Sequence, residues 1–314
     1  MTPSSPSLAT GFRRTLTTAP LLVEHPRTQG LRPTMATTTT HTIELDPTVY
    51  DKEQIQLMEE RLILLDQDDH AIGEGSKKDC HLIPPRGASE VRSPLHRAFS
   101  VFLFHPTTGK LLLQRRAAEK ITFPNMWTNT CCSHPLTSNG EMEEPAQIGV
   151  RKAASRKLVH ELGIPITYEL DEFAYLTRIH YYAPSDEIWA EHESTLRSLH
   201  FRTGFSFSIT DPSRCSLAAT VDYILFLALD ATVEANPNEV SDTKWVSKAD
   251  LQDLFKDPES TFTPWFKLIA ESFLYKWWDA LLESRKSLSD QLDARNLIPL
   301  VAQQQEEMGN IIRM

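Results

Sequence analysis

With 314 residues, 40% of them hydrophobic and 24% charged, the chain can bury a sizeable core and suits one large domain or two small ones. A formal net charge of −10 leaves no general basic footprint for nucleic acid or an anionic membrane surface, so an anionic ligand needs a local cluster of Lys and Arg or a bridging cation. Four cysteines, two of them adjacent, make a poor disulfide framework, and no secretory segment or run of about 18 apolar residues appears, which fits a reducing compartment and no membrane span.

Residues 1–34 are rich in Ser, Thr, Pro and Arg with Glu24 the only acid, as a mitochondrial presequence would be. Met35, followed by ATTTTHT, is the alternative start and would leave the protein in the cytoplasm. Residues 1–45 lack apolar periodicity and are expected to be disordered. Structured patterning begins near Tyr50. RLILLDQDDHAIGEG (61–75) reads as strand, acidic turn and strand, and AFSVFLFHPTTGKLLLQRR (98–116) as a hairpin turning at His105–Gly109. EEPAQIGVRKAASRKLVHELGIP (143–165) places Ile148, Ala153 or Ala154, Leu158 and Leu162 at helical spacing, with Gly163 and Pro165 as the stop. Further strands are expected at 173–183, 222–230 and 243–247, and a long apolar helix over 263–282 opened by Thr263 and Pro264. The expected fold is α+β (α/β), a mixed sheet flanked by helices over 46–290, followed by a C-terminal tail at 291–314.

The polar groups raise a sharper question at TNTCCSHP (128–135). A cysteine-rich zinc site needs a second ligand pair, which neither Cys80 nor Cys215 supplies. Histidine is better supplied: His81, His96 and His134 each sit beside a predicted strand, and EHE puts Glu191 and Glu193 two apart, on one face of a strand. Three imidazoles and two carboxylates would make a mixed N/O site for a divalent transition ion, although spacing alone leaves open that each His is an ordinary core or surface residue.

SRKLVHELGI (155–164) resembles the helix of the Nudix family, whose pattern R-E-U-x-E-E-x-G-U is met at Arg156, Leu158, Glu161, Gly163 and Ile164. It departs at Lys157 and His160, where the pattern has Glu. Nudix hydrolases use that glutamate cluster to hold Mg²⁺ for attack on a diphosphate link, so the loss of two carboxylates argues against hydrolysis. Glu161 alone could still hold one Mg²⁺ on a substrate's diphosphate.

KKDCHL, PLHRAFSVFLF, KITFPNMWTNTCCSHPL, RKLVHELGIP, YLTRIHYYAPSDEIWAEHE, DYILF and TPWFKLIAESFLYKWWD occur in order over most of residues 50–282. Together they resemble the type I isopentenyl-diphosphate Δ-isomerases, which have a Nudix-like fold and interconvert isopentenyl and dimethylallyl diphosphate in isoprenoid synthesis. The resemblance implies Cys132 and Glu193 as the two proton carriers, with Cys131 merely packing on the opposite side of the strand. It also implies Tyr181 as an active-site hydroxyl and Trp265 as the aromatic face over the hydrocarbon; Trp277 and Trp278 read as helix packing. A Zn²⁺ or Mn²⁺ ion would be held by His81, His96, His134, Glu191 and Glu193. The diphosphate would be met by Lys77, Arg116, Lys120 and Mg²⁺ on Glu161, with Lys157 standing where bacterial relatives have Arg, a change that keeps the charge and loses the bidentate fork. The expected partner is a small isoprenoid diphosphate, with no nucleic acid and no membrane, and relatives are often monomers.

Relatives run directly from EHE into the DYILL-like strand, whereas here STLRSLHFRTGFSFSITDPSRCSLAAT (194–220) intervenes, with Asp211 its one acid. Its removal would leave IWAEHE and VDYILFLALD as one alternating strand, as expected of a retained intron; a lid loop is the rival reading, and a genuine insertion would put the activity in doubt.

Overall fold

In a computed structural model of the chain, the described residues are 44–83, 93–181, 183–185, 188–191, 220–288, 294–297 and 311–313. The N-terminal extension and most of the 194–220 insertion, Glu193 among the residues before it, therefore lie outside them. A short helix α1 (Lys52–Leu57) is opened by Asp51, whose carboxylate accepts from the Glu53 and Gln54 amides. Strands β1 (Arg61–Leu65) and β2 (Ala71–Ser76) pair antiparallel as expected, and the Asp66 carboxylate ties their turn by accepting from the amides of Asp68 and His70. Helix α2 (Lys77–His81) follows at once, capped by the Ser76 hydroxyl.

Burial at all nine positions marks β3 (His96–Phe104) as the centre of the sheet. Its near-continuous apolar run suits a strand covered on both faces. Period-two alternation divides its side chains: Phe99, Val101 and Leu103 enter one core, Phe102 and Phe104 the other. The hairpin turn forms as expected, with the His105 amide donating to the Lys110 carbonyl at 2.9 Å. The hairpin itself does not continue. β3 and β4 (Leu111–Arg116) share only the Phe104–Leu111 pair, then part around the segment that carries the double cysteine. β5 (Trp127–Thr128) pairs with β4, and β6 (Cys131–Ser133) pairs with β3, setting Cys132 opposite Ser100. Between them Thr130 is fully buried; its hydroxyl donates to the Leu112 carbonyl at 2.6 Å and accepts the Leu103 amide at 2.8 Å. One side chain thus satisfies two backbone groups that the fork would otherwise strand.

Helix α3 (Ile148–Leu162) covers the first core with Ala153, Ala154, Leu158 and Leu162. It starts five residues later than the predicted segment because Ala146 and Gln147 adopt positive φ (51° and 55°), and it ends as expected at Gly163 (φ 61°), where an added Cβ would stand 2.4 Å from the Glu234 carbonyl. β7 (Ala174–Tyr181) precedes a two-residue ladder of β8 (Ala183–Pro184) with β9 (Ala190–Glu191). β10 (Thr220–Ala228) then runs parallel to β3 and antiparallel to β7, and β11 (Val240–Val246) closes the far edge against β4.

After α4 (Lys248–Leu254), the predicted 263–282 helix opens at Pro264 but is not continuous. α5 (Pro264–Ile269) passes through a π-helical turn at Ala270–Leu274 into α6 (Tyr275–Leu288). These helices cover the second core: Trp277 and Trp278 are buried, and the Trp278 indole donates to the Gly109 carbonyl at 2.9 Å. Ile312–Arg313 forms β12, parallel to β7, so the sheet draws on the region that sequence patterning set aside as a tail. The strand order is β11-β4-β3-β10-β7-β12, a mixed sheet with helices on both faces. Among the described residues no helix is long and apolar enough to cross a membrane.

Replacing Thr130 by Val keeps the volume and strands both backbone groups. Urea unfolding is expected to show a loss of about 1–3 kcal/mol; a loss below about 0.5 kcal/mol, the range of a neutral surface change, would show that the fork does not depend on this hydroxyl.

Candidate active site

The two adjacent cysteines face opposite ways, as strand alternation requires. Cys131 is fully buried in the core beneath α3, where its thiol donates to Glu161 Oε2 at 3.5 Å, so it does more than fill space as the sequence had implied. Burial pushes this thiol well up, and the Glu161 carboxylate adds to the shift. Cys132 turns to the other face and lines a cleft. Tyr181, Trp265, Lys77, Arg116, Lys120 and Lys157 line the same cleft, as do His134 and Glu161.

His134 follows Cys132 by two residues and shares its side of the chain. α2 contributes His81 and the start of β3 contributes His96; the three buried rings lie 4.8–4.9 Å apart, and one nitrogen from each falls within 4.8 Å of the others. His81 Nδ1 contacts the Lys77 carbonyl at 2.6 Å and His96 Nδ1 the Pro94 carbonyl at 3.1 Å. A carbonyl only accepts, so both Nδ1 atoms carry a proton, and a metal would be held through Nε2. Three buried imidazoles, each with a nitrogen turned toward the others, fit a divalent transition ion. Leu82 bridges to Trp189, and the Ile83 amide donates to the Ile188 carbonyl at 2.8 Å, which brings the segment leading to Glu191 alongside the end of α2. Glu191 ends β9, and its side chain lies outside the described residues, as does Glu193.

The cationic lining of the cleft is more heavily balanced than the sequence implied. Arg116 is locked by the carbonyls of Thr122 and Phe123, at 2.8 and 3.0 Å, with Nη1 4.0 Å from Cys132 Sγ and the guanidinium 5.9 Å above the Trp265 ring. Lys120 Nζ binds Glu239 at 2.6 Å, and Lys157 Nζ binds Glu161 at 3.1 Å and lies 4.0 Å from Glu239. Lys77 Nζ lies 3.8 Å from Glu60 Oε2, so all three lysines assigned to the diphosphate have carboxylate partners within the protein. Burial pushes Lys120 down to about 8, helped by Arg116, Lys77 and Lys157 and opposed by Glu239. For Lys157 burial also opposes the charge, but the carboxylates of Glu161 and Glu239 outweigh it and the pKa rises. Glu239 is held well below the usual carboxylate range by Lys120 and Lys157 despite its burial.

Under the Arg116 guanidinium, Trp265 packs edge-on against Phe123, with centroids 4.9 Å apart, and stacks at 6.5 Å with Tyr181. Its indole N–H donates to Asn129 Oδ1 at 3.2 Å, while Asn129 Nδ2 donates to the Cys131 carbonyl at 2.9 Å, so one amide ties the indole to the cysteine strand. Asp222 enters the cleft from β10 and accepts the Ser100 hydroxyl at 2.8 Å. Sequence reasoning missed Asn129, Asp222 and Glu239. An acid inside the apolar run VDYILF was a readable signal for Asp222, since such a group needs a partner when buried; Glu239, in the polar stretch NPNEV, had none.

The chain matches the NUDIX domain family over residues 94–266. It is 54% identical over 252 residues to the isopentenyl-diphosphate delta-isomerase of Phaffia rhodozyma, spanning 79% of this chain and 87% of that protein. The like-named protein of Aspergillus fumigatus is 50% identical over 236 residues, 74% of this chain and 76% of its own. Isopentenyl-diphosphate Delta-isomerase 1 of Mus musculus is 45% identical over 242 residues, 76% of this chain and 92% of its own.

Two measurements bear on this geometry. Alanine at His81, His96 or His134 is expected to weaken Zn²⁺ binding to the metal-free protein by at least about tenfold in competition with a chromophoric chelator; unchanged affinity in all three would exclude the cluster as a metal site. Lys120 is charged below about pH 8 and neutral above it, so the affinity for inorganic pyrophosphate should fall as pH rises through 8. That step should vanish in Lys120→Met, and an identical step in this variant would assign the titration elsewhere.

Proposed function

The chain belongs to the isopentenyl-diphosphate delta-isomerase family, and from that premise we propose that it interconverts isopentenyl and dimethylallyl diphosphate by a 1,3-allylic proton shift. The observation that carries this reading is the sharing of one cleft by a thiol, a phenol and an indole with four cationic side chains. Moving a double bond by one position adds a proton to the terminal methylene carbon and removes one from the carbon on the other side of the branch point, through a tertiary carbocation or a species close to it. Two proton carriers are needed on a substrate anchored by its diphosphate.

Cys132 serves as one carrier, with Arg116 Nη1 4.0 Å from its sulfur, and Glu193 as the other. Tyr181 orients or relays the proton near Glu193. Trp265, held by Asn129, presents an indole to the transient cation; such a contact is worth roughly 0.5–2 kcal/mol and the ring helps to exclude water. Lys77, Arg116, Lys120 and Lys157 receive the diphosphate. A Zn²⁺ or Mn²⁺ ion on His81, His96 and His134, completed by Glu191 and Glu193, would fix the catalytic carboxylate in place, and Mg²⁺ at Glu161 would carry diphosphate charge. Hydrolysis is the weaker reading, because Lys157 and His160 occupy two positions at which the hydrolase pattern has carboxylates.

In D₂O the protein should introduce deuterium into dimethylallyl diphosphate. Cys132→Ala and Glu193→Gln are each expected to abolish this exchange with the transition ion still bound; normal turnover in Cys132→Ala would refute the proposed chemistry.

A further inference from the structure

The two residues that break the Nudix pattern, Lys157 and His160, touch each other: Lys157 Nζ donates to His160 Nδ1 at 3.0 Å. The same ammonium lies 3.1 Å from Glu161 Oε1 and 4.0 Å from Glu239 Oε2, on a side chain only 2% exposed. The remaining carboxylate oxygens also have donors. Gln114 Nε2 and the Cys131 thiol reach Glu161 Oε2 at 3.0 and 3.5 Å, Lys120 Nζ reaches Glu239 Oε2 at 2.6 Å, and Gln54 Nε2 reaches Glu239 Oε1 at 3.2 Å. Two lysines therefore face two carboxylates, and these four charges cancel one another before any ligand enters.

We propose that Lys157 is a built-in cation that bars a divalent ion from the Glu161–Glu239 pair until a diphosphate arrives, so that the ion enters with the substrate and not before it. The physical case is one of space and charge. A Mg²⁺ or Mn²⁺ ion must approach its carboxylate oxygens to about 2.0–2.2 Å, and the Lys157 ammonium already occupies the volume between the two acids. It also adds like-charge repulsion in a buried site where water screens little. A diphosphate reverses the balance: its oxygens draw Lys120 and Lys157 and supply the additional negative charge a divalent ion needs. Holding the cluster to a single, substrate-delivered ion also denies it the paired metal ions that clamp attacking and leaving oxygens in hydrolysis, which protects the diphosphate that isomerisation must leave intact. The inference rests on the reading of this cleft as a diphosphate site, but it concerns ion binding and needs no turnover to test.

Mn²⁺ titrations of metal-free protein, followed by the electron paramagnetic resonance of free Mn²⁺, decide the matter. Wild type should bind no ion beyond that taken by the three histidines, and should gain one more per chain when inorganic pyrophosphate is added. Lys157→Met keeps the aliphatic stem and removes the ammonium; it should bind the extra ion without pyrophosphate, at least tenfold tighter than wild type, and lose it again when Glu161→Gln is added. Lys157→Gln serves in its place if the methionine variant does not fold. Wild type that takes the extra ion at Glu161 without pyrophosphate would overturn the inference, as would an unchanged ion count in the folded Lys157 variants. So would an extra ion that survives Glu161→Gln. An unchanged count in an active isomerase would reject this inference alone, whereas a changed count in a protein that moves no proton would reject the proposed reaction alone.

Discussion

The site depends on the fork between β3 and β4, and the fork depends on Thr130. Strands joined by a tight turn would ordinarily pair along their length, because every unpaired buried amide or carbonyl is costly. Here the Thr130 hydroxyl satisfies one group from each strand, and Asn129 adds a bond from Nδ2 to the Val101 carbonyl at 3.1 Å. The segment 127–133 therefore lies within the sheet, with β5 on one strand and β6 on the other. That placement sets Cys131 under α3 and Cys132 in the cleft, and it carries His134 to His81 and His96.

The same placement explains the electrostatics. A cleft that gathers Lys77, Arg116, Lys120 and Lys157 under a packed sheet desolvates positive charge, and buried cations need partners. Glu161 from α3 supplies one to Lys157, Glu239 from the loop before β11 one to Lys120, and Glu60, just before β1, one to Lys77. Lys120, with burial and three neighbouring cations against one carboxylate, falls to about 8, while Lys157, between two carboxylates, rises. Two lysines in one cleft thus differ in acidity because of what each one faces.

How much of this was legible in the sequence follows from the range of the forces involved. Turn and helix-end chemistry is local, so the turn at His105–Gly109, the stop at Gly163 and the start at Pro264 were readable from the residues themselves. The fork was not, because the apolar run that opens LLLQRR suits a strand without specifying its neighbour. His81, His96 and His134 lie far apart in the chain, and spacing left their purpose open until the fold set their rings side by side. Family resemblance singled out Cys132 over Cys131, and strand alternation supplies the physical reason. The partnership of Lys120 with Glu239, 119 residues away in sequence, had no local signal of any kind.

Assignment of the metal to the histidines and of the chemistry to Cys132 is the central claim, and X-ray absorption at the zinc edge of the Zn²⁺-loaded protein tests it most directly. Nitrogen and oxygen scatterers at about 2.0–2.2 Å with the multiple scattering of three imidazoles are expected. A sulfur shell near 2.3 Å would place a cysteine on the metal and contradict the assignment.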